Sequence, residues 1–141
     1  IALWDKVEAF VRQQAKNEAE CAVIETRSGK PIRYWDVEFS GKRDEMTAAT
    51  VKGGPRKKIY SGLLVENLVQ STARCCFGEM LIKAEAAGLP VCLHVHDSIT
   101  VEVAESEGQA ALDLLVSIMS EAPAWAEGLP LAAEGEIRRH Y

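Results

Sequence analysis

Leu3, Val7, Phe10 and Val11 recur at the spacing of one helical face, with Trp4 beside them, so residues 3–16 read as a helix. Polar residues from Gln13 to Glu20 cover its end. At Cys21 the period drops to two, with Ala22 and Ile24 alternating. Gly29 and Pro31 then punctuate a turn. Ile32 to Phe39 is rich in aromatic and β-branched residues, so 21–26 and 32–39 pair as a predicted hairpin. Residues 40–58 are polar around Gly53-Gly54-Pro55 and read as a surface connection, with Met46 to Val51 suited to a short strand.

From Ser61 to Ala87 apolar positions return at spacings of three and four: Leu64, Leu68, Val69, Ala73, Cys76, Phe77, Met80 and Leu81. This predicts a long helix, interrupted in propensity only by Gly78 and stopped by Gly88 and Pro90. So long a helix in so short a chain must be a central element. In residues 91–103, Val91, Leu93 and Val95 alternate, as do Ile99, Val101 and Val103, while Cys92, His94, Thr100 and Glu102 take the other face. Two strands therefore flank a turn at His96-Asp97-Ser98. Ser106 to Gln109 has the form of a capping box before a helix over 107–121, whose core face is Ala111, Leu114, Leu115, Ile118 and Met119. Residues 129–137 have the composition of a last strand. The order α-β-β-α-β-β-α-β, rich in hairpins, predicts an α+β fold. Its antiparallel sheet would be backed by a long central helix and a second packing helix.

The chain has 141 residues, 48% hydrophobic and 26% charged, which suits one globular domain. No run approaches the roughly 18 apolar residues of a membrane helix. It opens on Ile1 rather than Met, as expected of a processed product or an excised segment. The net charge of −5 hides an asymmetry. Residues 1–83 carry 14 Lys and Arg against 11 Asp and Glu, and residues 84–141 carry 2 against 10. Phosphate contacts need Lys and Arg, so only the first part is suited to nucleic acid. Lys52, Arg56, Lys57 and Lys58 cluster there with no acid among them, although such a cluster is also what a solvated loop looks like.

The four cysteines show no CxxC spacing, and Cys75 and Cys76 are adjacent, so they read as small buried residues of a reducing compartment. At the second turn, Asp97 admits three readings. It is a common turn former. With His94 and His96 it could serve a transition metal. As a hard carboxylate it could hold Mg²⁺, which takes one or two carboxylates and completes its shell with phosphates and water.

The stretch Tyr60 to Glu102 resembles the palm of family A DNA polymerases, phage-type members especially. Glu66, Asn67, Gln70, Ala73 and Arg74 match an E-N-x-x-Q-x-x-A-R helix pattern, and Val95, His96 and Asp97 match a V-H-D-E hairpin. The tail LPLAAEGEIRRHY resembles the last palm strand of the family. The early SGKPIRYW resembles the S-G-R-x-x-x-Y hairpin between fingers and helix. The resemblance covers nearly the whole chain.

It implies that 1–141 is the C-terminal part of a polymerase palm, acting in the cytoplasm of a bacterium or phage-infected host. Its partners would be primer–template DNA and dNTP. Asp97 would be one of two aspartates holding two Mg²⁺ ions, and His96 would lie by the primer terminus. Gln70, Asn67 and Arg74 would face primer–template, in the groove whose acceptors all base pairs share, with Lys57 and Lys58 on the basic side. On spacing alone, Gln70 and Asn67 are also ordinary solvent-facing helix residues, and Arg74 is also a partner for Glu66 or Glu79. Two positions depart from the pattern: Ser98 stands where the family has Glu, and Cys75 where it often has Asp. No equivalent of the second aspartate or of the fingers helix is visible in residues 1–60, where Asp5, Asp36 and Asp44 sit in unsuitable contexts. The fragment alone is therefore expected not to polymerise. Its truncated palm would expose apolar surface and favour self-association. Alternatives are a non-enzymatic DNA-binding or replication-accessory module, and a small metal-dependent hydrolase using His94, His96 and Asp97.

Overall fold

The computed structural model describes residues 2–17, 20–41 and 45–140; Asp44 lies outside them. The architecture is α+β, as the spacing predicts, and the chain divides into two compact units, Ile1–Ala73 and Arg74–Tyr141. Among the described residues no helix is long and apolar enough to cross a membrane.

In the first unit, helix α1 (Leu3–Lys16) precedes strands β1 (Cys21–Glu25), β2 (Pro31–Ser40), β3 (Glu45–Ala49) and β4 (Arg56–Ile59). The strands form one antiparallel sheet in chain order. The 21–26/32–39 hairpin is thus found, with Ala22 opposite Tyr34 and Ile24 opposite Ile32 on the core face. Within the expected surface connection the short strand suited to Met46–Val51 is found as β3, and a second strand, β4, was not expected. Arg56 to Ile59 pairs with β3 because Ile59 lies opposite Met46 and both are buried. One apolar residue among four was too little periodicity to reveal it. Val11, Ala22, Tyr34, Met46, Ala48, Ile59 and Leu64 form the core. Leu3 and Phe10, expected on the core face of α1, are exposed, and only Val11 is fully covered.

Two polar contacts fix this unit. Gln14 of α1 donates to the Val23 carbonyl and accepts from its N–H, both at 2.9 Å, so a side-chain amide pairs with the backbone of edge strand β1. Glu8, held by Arg12 at 2.9 Å, accepts the Ser61 N–H at 3.0 Å. This carboxylate satisfies an orphan donor at the positive end of the long helix α2 (Ser61–Ala86).

In the second unit, α2 ends in a Schellman motif. Gly88 adopts φ +82, its N–H bonds the Glu85 carbonyl at 3.0 Å, and the Leu89 N–H bonds the Ala84 carbonyl at 3.0 Å. Strands β5 (Val91–Val95) and β6 (Ser98–Val101) form a two-stranded hairpin, and α3 spans Gly108–Ser120. Cys76, Phe77, Met80, Ala84, Leu89, Ala111, Leu115 and Ile118 make the core. The capping box is not formed: Ser106 lies in a 3₁₀ turn, Glu105–Glu107, and no side chain caps α3. Residues 129–137 are not a strand. They pass along α3 in irregular backbone, so close at Gly135 that a Cβ there would fall 2.5 Å from Leu112 Cδ1. The Trp125 indole N–H donates to Glu79, and Lys83 pairs with Glu121 at 3.2 Å, which ties the segment after α3 to α2. All four cysteines are free, but only Cys76 is buried and Cys92 is exposed.

Candidate functional site

The β5–β6 hairpin closes through a two-residue loop, His96-Asp97, between the pair Val95 and Ser98. Two-residue hairpin loops need a positive φ to match strand twist. Here His96 supplies it, at φ +54, in a position usually given to Gly. A non-glycine residue there stores of order 1 kcal/mol, and such residues concentrate at functional sites. Asp97 sits at the tip, exposed, and its carboxylate makes no hydrogen bond or ion pair with the described residues. Ser98 Oγ donates to the Val95 carbonyl at 2.8 Å. The side chain at the position where a carboxylate was the pattern thus closes the turn instead.

A register shift between Val91 and Leu93 divides the face that the alternation predicts. Val91 stays opposite Val101 and packs on the core, while Leu93 and Val95 turn to the other side and are exposed. The shift places His94 opposite Ile99, on the core side of the hairpin. Its ring meets that of Phe77 on α2 in T-shaped geometry, with centroids 5.9 Å apart at 65°. His94 is nevertheless exposed.

Arg74 is exposed on α2, and its guanidinium lies over the Phe77 ring, 5.9 Å from the centroid. It pairs with neither Glu66 nor Glu79; Glu79 is engaged by Trp125. Arg74, Phe77, His94 and the Asp97 tip therefore belong to one unit. No group of three or more His, Cys, Asp or Glu side chains among the described residues is placed to hold a metal ion. The chemistry of Asp97 alone fits one hard-oxygen ligand of Mg²⁺, with further ligands from elsewhere.

The other candidates lie in the first unit. Gln70 is exposed. Asn67 is half-buried and donates its amide N–H to the Tyr34 hydroxyl at 2.9 Å, so it is also a structural group. Burial pushes the Tyr34 phenol above its ordinary range, and the Asn67 bond partly offsets this. Lys57 and Lys58 are exposed on β4. Lys58 pairs with Glu45 at 2.8 Å and Arg56 with Glu38 at 3.2 Å; Lys52 pairs with Glu20 and lies over the Trp35 ring. Among the described residues Lys57 is the one member of the basic cluster with no ion pair. Such exposed pairs are weak and give way readily to phosphate.

The Phe77–His94 contact was not legible from spacing, because it depends on the register shift. No family model matches the chain, and no solved structure matches it. The chain is 42% identical over 86 residues to a protein named DNA polymerase from Bacillus phage SP02. That match covers 61% of this chain but only 13% of the phage protein. The chain is thus similar to a small part of a phage DNA polymerase.

Proposed function

We propose that the chain is the C-terminal palm segment of a family A DNA polymerase and takes part in template-directed nucleotidyl transfer on primer–template DNA in a bacterial or phage-infected cell. The observation that carries this reading is an unpartnered carboxylate, Asp97, held at the tip of a tight hairpin, in a chain similar to part of a phage DNA polymerase.

In this reading Asp97 is one oxygen ligand of Mg²⁺, and a second carboxylate and the substrate phosphates supply the rest. When bound, the metal lowers the pKa of the primer 3′-hydroxyl and stabilises charge on the transferring phosphate. His96 projects beside Asp97 and adjoins the primer terminus. Gln70 donates to minor-groove acceptors, and Arg74 meets the backbone. Asn67 lies on the same face of its unit as Gln70 in this reading, while holding Tyr34. Lys57, free of an ion pair among the described residues, contributes to phosphate attraction, and Lys58 joins it on exchanging Glu45 for phosphate. In this reading Asp97 is one of two carboxylates the reaction needs, and the segment does not polymerise alone.

The test is fluorescence anisotropy of a labelled primer–template with the purified chain. Binding should weaken steeply with salt, and Arg74→Ala or Lys57→Ala should each reduce the salt slope by about one. Absence of duplex binding at low salt would contradict the reading. Primer extension by the chain itself, abolished by Asp97→Ala, would overturn the claim that it needs a second carboxylate.

A further inference from the structure

We infer that Phe77 and His94 are positioning residues that hold the Asp97 tip and the Arg74 guanidinium in one fixed arrangement; this extends the polymerase reading and rests on it for its purpose. The hairpin is short, and its outer strand face, Leu93 and Val95, is exposed. On the inner face Val91, Ile99 and Val101 pack on the core. His94 is the inner-face residue of β5 nearest the turn. Beyond it, Ser98 bonds back to Val95, and among the described residues no hydrogen bond or ion pair joins 95–98 to anything outside the hairpin. The T-shaped contact of His94 with Phe77 is thus a ring contact between α2 and the strand that leads into the loop carrying Asp97.

Phe77 is suited to the task because it is buried in the core of its unit. It is 6% exposed and set among Cys76, Met80 and Leu89. A benzene ring has a negative face and a positive edge, so one ring takes a cation at its face and another ring in T-shaped geometry. Arg74 takes the first kind of contact and His94 the second, each at 5.9 Å. One buried side chain thereby orients a phosphate-binding cation and the base of a metal-ligand loop. Reacting groups must be held within about half an ångström of productive geometry, and a supporting shell of locked rotamers does this.

The experiment uses the ¹⁵N-labelled chain and four substitutions. His94→Thr removes the ring; His94→Phe keeps a ring edge; Phe77→Leu keeps apolar volume without a ring; Arg74→Ala removes the cation. The readouts are the heteronuclear NOE of the His96 and Asp97 amides and the affinity for primer–template. We expect the tip amides to be as ordered as the β5 amides in the parent chain and in His94→Phe. In His94→Thr and Phe77→Leu they should fall to values of a mobile loop. Phe77→Leu should weaken primer–template binding about threefold to tenfold, as Arg74→Ala does, with no further loss in the double variant. A general loss of stability cannot produce the His94→Phe rescue. Because His94 is exposed, His94→Thr leaves the core intact and decides the matter even if Phe77→Leu fails to fold. Unchanged tip order in folded His94→Thr, or equal disorder in His94→Phe, would overturn the inference. If the tip responds as expected but the parent chain binds no primer–template, the polymerase reading falls and the positioning contact stands.

Discussion

Asn67→Ala separates the structural duty of Asn67 from the DNA-facing one proposed for it. Tyr34 is 1% exposed, and its hydroxyl accepts from the Asn67 amide at 2.9 Å. Removing the amide leaves a buried hydroxyl without that partner, which costs about 1–3 kcal/mol. Tyr34→Phe removes the hydroxyl instead and leaves a half-buried amide that water reaches, at a cost of about 1 kcal/mol. The double variant should cost less than the sum, with a coupling of about 1 kcal/mol. Native-state hydrogen exchange of the β2 amides reads this unit alone, which matters in a chain of two compact units. Because the Asn67 donor is committed to Tyr34, Asn67→Ala should weaken primer–template binding less than Gln70→Ala does. Additive single effects, or a costless Asn67→Ala, would refute the reasoning.

Three further outcomes are expected. His96→Gly should relax the positive φ and stabilise the hairpin by up to about 1 kcal/mol, while reducing primer extension wherever the segment works in a complete polymerase; thermal denaturation and extension assays together check it. Ser71 Oγ is buried without a hydrogen-bond partner among the described residues, so Ser71→Ala should stabilise by about 1 kcal/mol in urea denaturation, through lost desolvation cost and better helix propensity. Burial pushes the Cys21 and Cys76 thiols and the Tyr34 phenol up, so the fold favours their protonated forms. Their contribution is complete below the unfolded titrations, about pH 8.5 for thiol and pH 10 for phenol, and is lost as pH rises through the folded values. Melting temperature should therefore hold to about pH 8.5 and fall above it, and Cys76→Ala should flatten the onset of that fall.

Elements with strong local periodicity were legible from the chain. Helix α1, the first hairpin and α2 are found within a residue or so of their expected limits, because apolar spacing, Gly29 and Gly88 define them. Strand β4 was not, since Arg56, Lys57 and Lys58 show no alternation and only the pairing of Ile59 with Met46 holds them. The proposed last strand failed for the opposite reason. Leu129, Leu131 and Ile137 alternate acceptably, but packing of Gly135 on Leu112 directs that segment along α3. At the site, the motif located the turn at Asp97. It could not disclose the register shift after Val91, which moves Leu93 outward and His94 onto Phe77. Nor could it show that Glu8, far away in sequence, caps α2.

The central claim is that Asp97 is a metal-binding carboxylate of a polymerase palm. It is tested most directly by replacing the matching part of the Bacillus phage SP02 DNA polymerase with this chain and measuring primer extension. The chimera should extend a primer, Asp97→Ala should reduce the rate by at least about a thousandfold, and Ser98→Glu should preserve or raise it. A folded chimera that extends primers equally well with and without the Asp97 carboxylate would contradict the account.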